Sequence, residues 1–174
     1  ANTFVSSANC VLHCGASIDL VDININTGNI CLEDLSKKLF SAKKKKKLPS
    51  VLIPVHFAGQ PTLQEEIWKL SKKYKFKIIE DASHSLGATR KNHNVGNCRW
   101  SDVVISSFHP VKTITCGEGG VSFTKNRDLK DKMMALRTHG IFKNTKSKNL
   151  DNRKQFWYFD QKLLGYNFRL TDIQ

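Results

Sequence analysis

The chain has 174 residues, of which 40% are hydrophobic, and a net charge of +13 at pH 7. This length and composition predict a single globular domain. There is no apolar run long enough to span a membrane and no signal-peptide pattern, so we expect a soluble protein without a membrane partner.

The five cysteines are scattered, at positions 10, 14, 31, 98 and 116. Cys10 and Cys14 are four residues apart, but no second close pair completes a zinc site, and we expect no metal. Reduced thiols in the cytoplasm are the simplest interpretation of this odd, irregular set.

The amino-terminal part of the chain shows alternating helix and strand patterns. The predicted elements are a helix over 3–14 that ends at Gly15, a strand over 18–23, a turn over 27–29, an amphipathic helix over about 32–40 and a loop over 41–50.

An unbroken lysine run, Lys43–Lys47, lies in that loop. Together with the positive net charge, it raises the alternative of a nucleic-acid-binding protein. No aromatic residues interleave the lysines, however, and no recognised nucleic-acid motif accompanies them. We therefore interpret the run as a solvated surface loop and expect no nucleic-acid partner.

A strand, a helix and a second strand follow the lysine run. The first strand covers 51–55 and is broken by Pro54, the helix begins with Thr62 as its cap and ends at about Tyr74, and the second strand covers 76–79. This order implies that the two strands pair in parallel.

His56 and Asp81 follow the carboxyl ends of these two strands, and ligands bind at that edge of a parallel sheet. For His56, a hydrogen-bonded structural histidine is the favoured interpretation, and a residue that lines the pocket is the alternative.

The rest of the chain continues the mixed pattern. The predicted elements are a polar stretch over 89–101 with Gly96 in a turn, strands over 102–108 and 121–123 with a tight turn at 117–120, a helix over 128–139 and an exposed loop over 144–152. Aromatic residues return at 156–159 and 163–170, where they predict either a surface that a partner covers or ordinary core packing.

Lys112 and Asp81 are the residues whose chemistry stands out. Lys112 lies between apolar residues after a strand, and a desolvated lysine is a nucleophile toward carbonyls. An acid after one strand and a lysine after the next is what pyridoxal phosphate (PLP) needs, because the lysine holds the aldehyde and the carboxylate keeps the ring nitrogen protonated. The alternatives are a solvated lysine at a strand end and a helix cap for Asp81.

Three motifs carry a resemblance: E-D-A-S-H-S-L-G-A from Glu80, S-S-F-H-P-V-K-T-I-T-C-G-E-G-G from Ser106 and L-G-Y-N-F-R-L-T-D-I-Q from Leu164. In this order they resemble the DegT/StrS family of sugar aminotransferases. The resemblance implies PLP as cofactor and an α/β fold with a mostly parallel sheet, like the large domain of aspartate aminotransferase. Residues 1–174 would be the central part of that domain, without the small carboxyl-terminal domain, so we expect a piece of a longer protein.

The resemblance also implies six cofactor-binding residues: Phe4, Asp81, His84, Ser107, Lys112 and Asn167. Lys112 would also be catalytic, while Asp81 would tune the ring nitrogen and His84 would lie beside the ring. Phe4 would stack on the ring, with a core aromatic as the alternative. Ser107, with Ser106 as the adjacent alternative, would hold the phosphate. Asn167 would reach the phosphate from the second subunit of a homodimer, and a turn residue is the alternative there.

The implied reaction moves an amino group from an amino acid, such as glutamate, to the keto sugar of a nucleotide-sugar for bacterial surface glycans. The run from Phe108 to Gly120 is most similar to the branch that aminates 4-keto-6-deoxy hexosamine nucleotides. A sensor or regulator that binds PLP on the same fold without turnover is the alternative. A dehydratase branch has histidine in place of the lysine, and Lys112 argues against it.

Overall fold

The computed structural model describes residues 2–142 and 159–174. The chain forms two compact units, Ala1–Lys125 and Asn126–Gln174. The loop predicted over 144–152 and the aromatic residues 156–158 lie outside the described residues. No helix in the described part of the chain combines the length and the apolar character of a membrane span.

The first unit is a mixed α/β structure. Its helices are α1 (Ser6–His13), α2 (Leu32–Lys44) and α3 (Gln64–Tyr74), and its strands are β1 (Val51–Leu52), β2 (Lys77–Asp81), β3 (Thr89–Arg90), β4 (His93–Asn94), β5 (Val103–Ser107) and β6 (Gly120–Phe123). Four of the strands form one sheet in the order β1-β2-β5-β6, and β3 and β4 form a hairpin within the polar stretch 89–101.

The large sheet is parallel except at one edge. The β1–β2 and β2–β5 pairs are parallel, whereas β6 returns antiparallel to β5. Asp81 pairs with Ile105, so the carboxyl ends of β2 and β5 meet at the same edge. The prediction of an α/β fold with a mostly parallel sheet is confirmed.

The core of this unit lies where α2 and α3 cover the sheet. Its buried members are Leu35, Leu39, Ile67, Tyr74, Phe76 and Ile78. The helical residues among them are four residues apart in α2 and seven apart in α3, which are spacings that place apolar side chains on one face of a helix. The β2 residues alternate between buried and more exposed, so Ile78 and Glu80 share the buried face, and Asp81 lies on the other.

Two predictions for the amino-terminal part were wrong. Residues 18–22 form no regular strand in the described chain, and only an isolated bridge joins Ile23 to Ile30. The amide of Asp22 instead donates to the Asp34 carboxylate, so a side chain takes the place of a neighbouring strand. The helix expected over about 32–40 continues to Lys44, so the lysine run begins inside α2 rather than in a loop. Lysines in a last turn stabilise the negative end of the helix dipole.

The predicted cap of α3 was also wrong. Leu63 is the residue that precedes this helix, and no side chain caps it. The Thr62 hydroxyl is buried and makes no hydrogen bond to the described residues. The Thr62 amide donates to the ring of His56, which draws the threonine away from a capping geometry.

The second unit is built on α4 (Arg127–Arg137), close to the predicted 128–139, with β7 (Ile141–Phe142) paired antiparallel to β8 (Asp160–Gln161). The Asn126 side chain accepts a hydrogen bond from the Leu129 amide and so caps α4. Tyr166 and Phe168 stack with ring centroids 4.7 Å apart, and both rings are exposed. Core packing is therefore not their role within this unit.

We expect Ile67→Ala to lower the free energy of unfolding by about 2–5 kcal/mol, because the side chain is 1% exposed in the core and its loss leaves a cavity. Leu63→Ala is the control, since Leu63 is 41% exposed despite its apolar character. Leu63→Ala should lower the free energy of unfolding by about 1 kcal/mol or less. Denaturant titration of both variants measures the difference, and equal losses would contradict the assignment of Ile67 to the core.

Candidate active site

The candidate site is built around Asp81, the last residue of β2. Its Oδ2 accepts a hydrogen bond of 2.6 Å from the Ser7 hydroxyl. Its Oδ1 accepts bonds from the hydroxyl and the amide of Ser83, at 2.6 and 3.1 Å. The Ser7 bond ties the start of α1 to the carboxyl end of the sheet, and the Ser83 bonds hold the turn that follows β2.

These contacts keep Asp81 ionised. Burial alone would raise the pKa of its carboxyl group, but the bonds from Ser7 and Ser83 and the positive charge of Lys112 together lower that pKa below its ordinary value of 3.8. Asp81 is therefore a carboxylate at neutral pH, placed to hold a proton on a cationic partner. Asp81 does not cap a helix, because the described residues that follow β2 form turns rather than a helix.

Lys112 lies in the loop between β5 and β6. Backbone bonds close this loop at its base, where the Phe108 amide donates to Gly119 and the Cys116 amide donates to Phe108. The Lys112 amide donates to the His109 carbonyl in a tight turn. The loop thus projects from the carboxyl edge of the sheet, where Asp81 also lies.

The surroundings of Lys112 differ from those that its sequence neighbours suggest. Val111 is 76% exposed and Ile114 is 52% exposed, so the apolar neighbours do not enclose the amine. The Nζ atom of Lys112 instead lies 2.6 Å from Nε2 of His84. The site around this lysine is polar and open, and its contacts are to a histidine and, through its charge, to Asp81.

His84 is held where the loop after β1 approaches the turn after β2. Gly59 has a φ of +85°, and a Cβ there would lie 2.9 Å from the His84 carbonyl oxygen. A larger residue would therefore push the two segments apart and strain the backbone. The glycine allows the close approach that fixes the backbone of His84.

Ser107, the last residue of β5, is partly buried, and its hydroxyl accepts a bond of 3.3 Å from the His109 amide. Ser106 is only 3% exposed and lies on the opposite face of the strand. Of the two adjacent candidates, Ser107 is the one whose side chain a ligand can reach.

Phe4 is 71% exposed, so it is not a core aromatic of the described structure. The Ser7 amide donates to the Phe4 carbonyl, which places Phe4 one turn before the serine that contacts Asp81. Sequence reasoning missed Ser7, because nothing in its local pattern marks a hydroxyl whose partner lies 74 residues away.

Asn167 belongs to the second unit, whereas the hydrogen bonds described around Asp81 and Lys112 join residues of the first unit. Its backbone forms an antiparallel bridge with Thr138, and its side chain is exposed. The alternative of a turn residue was therefore wrong.

The sequence model of the DegT/DnrJ/EryC1/StrS aminotransferase family matches residues 1–174. The chain belongs to this family.

Named relatives share this match. The chain is 41% identical over 171 residues to UDP-4-amino-4,6-dideoxy-N-acetyl-beta-L-altrosamine transaminase of Campylobacter jejuni, an alignment of 98% of this chain with 41% of the relative. It is 31% identical over 172 residues to the spore coat polysaccharide biosynthesis protein SpsC of Bacillus subtilis, an alignment of 99% of this chain with 42% of that protein. The chain thus spans less than half the length of these relatives.

The fold agrees with the sequence matches. PseC of Helicobacter pylori, an aminotransferase involved in the biosynthesis of pseudoaminic acid, superposes with a TM-score of 0.84 at 32% identity. The match covers 98% of this chain and 41% of the PseC chain. The family and the fold inferred from the sequence motifs are confirmed.

We expect Ser7→Ala to raise the pKa of Asp81, because it removes a donor to the ionised carboxylate. The pKa of Asp81 is lower in the folded protein than in the unfolded chain. The carboxylate therefore stabilises the fold at pH values above the unfolded pKa, and this stabilisation is lost as the pH falls through the folded pKa. The variant should therefore be less stable than the parent at neutral pH, and this pH-dependent difference should vanish in acid.

Carboxyl NMR titration of Asp81 and denaturant unfolding at neutral and acid pH measure the two effects. Ser6→Ala is the matched control, since Ser6 is the adjacent, exposed hydroxyl on α1. An unchanged Asp81 titration in Ser7→Ala would show that the Ser7 bond does not hold the charge.

Proposed function

We propose that this chain is the central part of the PLP-binding domain of a nucleotide-sugar aminotransferase. The observation that carries the proposal is the meeting of Lys112, His84 and the ionised Asp81 at the carboxyl edge of the sheet. Aminotransferases of the family are PLP-dependent, and a lysine with an acid is the pair that this cofactor needs.

The residues present fit PLP. Asp81 has its carboxylate fixed by three hydrogen bonds and carries a negative charge, which suits a protonated ring nitrogen. Lys112 presents an amine in an open, polar loop, where an aldehyde can reach it. When bound, PLP supplies an electron sink for the carbon that loses its proton.

Lys112 has two roles in this proposal. Its Nζ atom would hold the cofactor's aldehyde carbon in the resting enzyme. As a free amine, the same Nζ atom would move a proton between the substrate carbon and the cofactor's exocyclic carbon, as a general base and acid. His84 supports both roles, because its contact of 2.6 Å holds the Nζ atom on the side of Asp81.

The remaining predicted residues bind and orient the cofactor. Phe4 offers an exposed ring at the start of α1, one turn from the Ser7–Asp81 bond. The hydroxyl of Ser107, at the end of β5, suits a phosphate oxygen. Asn167 supplies an amide from the second unit and acts on the phosphate of the other subunit in a homodimer.

The substrate assignment rests on the relatives. The Campylobacter relative is named for a UDP-linked amino sugar, and the Bacillus relative for polysaccharide biosynthesis. We assign the chain to amination of a nucleotide-linked keto sugar for a surface glycan, with an amino acid such as glutamate as the donor. The five free cysteines are consistent with a reducing compartment such as the cytoplasm.

We expect the full-length protein, purified with PLP, to show the visible absorption of lysine-bound cofactor, and Lys112→Ala to abolish it. Alanine supplies no amine, while the loop keeps its backbone bonds. Borohydride reduction followed by peptide mapping should label Lys112. Lys125→Ala is the control variant, because this lysine lies at the end of the first unit and should leave the absorption unchanged. A label on another lysine would refute the assignment.

Turnover separates the alternatives. Conversion of a keto-sugar nucleotide and glutamate to an amino-sugar nucleotide supports the aminotransferase. A labelled Lys112 without turnover of any nucleotide-sugar would instead favour a PLP-binding sensor. A protein that takes up no PLP but binds RNA with a steep salt dependence would favour the nucleic-acid alternative.

We expect Asn167 to act in trans. A charge-assisted bond to phosphate is worth about 1.5–3 kcal/mol, so Asn167→Ala should weaken PLP binding about tenfold or somewhat more. Lys112→Ala and Asn167→Ala homodimers are then mixed and allowed to exchange subunits. If Asn167 serves the other subunit, each heterodimer has one intact site and activity returns.

If Asn167 serves the site of its own chain, every heterodimer site carries one lesion and mixing restores nothing. Subunit exchange is verified independently by native mass spectrometry of the mixture. An inactive mixture with proven exchange would overturn the trans role, and a protein that remains monomeric would overturn the dimer as well.

A further inference from the structure

A buried polar cluster lies behind the candidate site. It consists of His56, Thr62, Gln64 and Glu80, which are 1%, 1%, 7% and 2% exposed. We call it the Glu80 cluster. None of its side chains contacts Lys112, Asp81 or His84 in the hydrogen bonds of the described structure, so the roles proposed above do not account for it.

The hydrogen bonds in the cluster fix the state of its histidine. The Thr62 amide donates to Nδ1 of His56 at 3.1 Å, so Nδ1 has no proton. Nε2 therefore carries the proton and donates to Oε2 of Glu80 at 3.0 Å. The side-chain amide of Gln64 donates to the same oxygen at 2.8 Å. One buried acceptor thus joins the loop after β1, the start of α3 and β2.

The backbone connects this cluster to Asp81. The His56 amide donates to the Asp81 carbonyl at 3.0 Å, and the Asp81 amide donates to the Pro54 carbonyl at 2.9 Å. Glu80 and Asp81 are consecutive in β2, so their side chains lie on opposite faces of the sheet. The same piece of strand holds the cluster on its buried face and the candidate cofactor ligand on the other.

Stability alone does not account for such a cluster. Removing a carboxylate from water is costly, and apolar residues of similar volume often replace buried charged groups without loss of stability. What a hydrogen-bonded cluster provides, and an apolar one does not, is a directional constraint on the backbone.

We propose that Glu80 and His56 are positioning residues for Asp81. By fixing the end of β2 against the loop after β1, they set where the Asp81 carboxylate lies relative to the cofactor's ring nitrogen. Ser7 and Ser83 orient the carboxylate itself, and the Glu80 cluster fixes the backbone that carries it. This inference rests on the proposed function.

A double-mutant cycle with Asp81→Asn tests the proposal in the full-length protein. Glu80→Met keeps the volume and removes the acceptor, and it should weaken PLP binding about tenfold when Asp81 is present, the loss expected for a displaced charged hydrogen bond. In the Asp81→Asn background it should have little further effect, because the group it positions is already gone. Equilibrium dialysis measures PLP binding, and thermal unfolding is recorded for every variant.

Asp102→Leu is the matched control. Asp102 accepts a bond from the Ile78 amide and so fixes the other end of β2. Its loss should lower stability, but its effect on PLP binding should be small and the same in both backgrounds. Glu80→Gln should retain PLP binding within about threefold, because a side-chain carbonyl can accept both bonds of Oε2.

If Glu80→Met does not fold, His56→Gln replaces it, since the glutamine amide can still donate to Glu80 while the Thr62 amide loses its acceptor. The loss of PLP binding in His56→Gln should likewise depend on the presence of Asp81. If either variant weakens PLP binding equally in the parent and in the Asp81→Asn background, the positioning role is overturned. A parent protein that takes up no PLP would refute the proposed function instead.

Discussion

The backbone pairing at the end of β2 is the constraint on which the site depends. Asp81 bonds to Pro54 and His56 in the segment after β1, and it pairs with Ile105 on β5. These bonds hold the carboxyl end of β2 between its neighbours and bring the ends of β2 and β5 to one edge. A shift of one residue would exchange the faces of Glu80 and Asp81, and it would bury the acid that the site needs.

Two polar groups on opposite faces of one strand have different physical characters. The Glu80 cluster is closed to water and held together through one carboxylate oxygen. The group around Asp81 and Lys112 is open, and its exposed apolar neighbours do not shield it. A closed cluster suits a fixed geometry, whereas an open one suits the cofactor binding and proton transfer proposed for Lys112.

The sequence was informative where the pattern is local. The period of α3, the parallel strands and the placement of Asp81 and Lys112 at the carboxyl edge of the sheet could all be inferred from spacing and motifs. What it missed depends on contacts between distant residues. Ser7 contacts Asp81 across the chain, Thr62 turns toward His56 instead of capping α3, and residues 18–22 have the composition of a strand without a partner in the described chain.

The strands of the large sheet lie side by side in the order in which they occur in the chain, β1-β2-β5-β6. During synthesis, each strand can therefore join a neighbour that has already been made, and the sheet grows at one edge. Ser7, Asp81 and Ser83 all precede β5. The anionic half of the site can thus be complete before Lys112 leaves the ribosome, so the acid is assembled first and the amine arrives last.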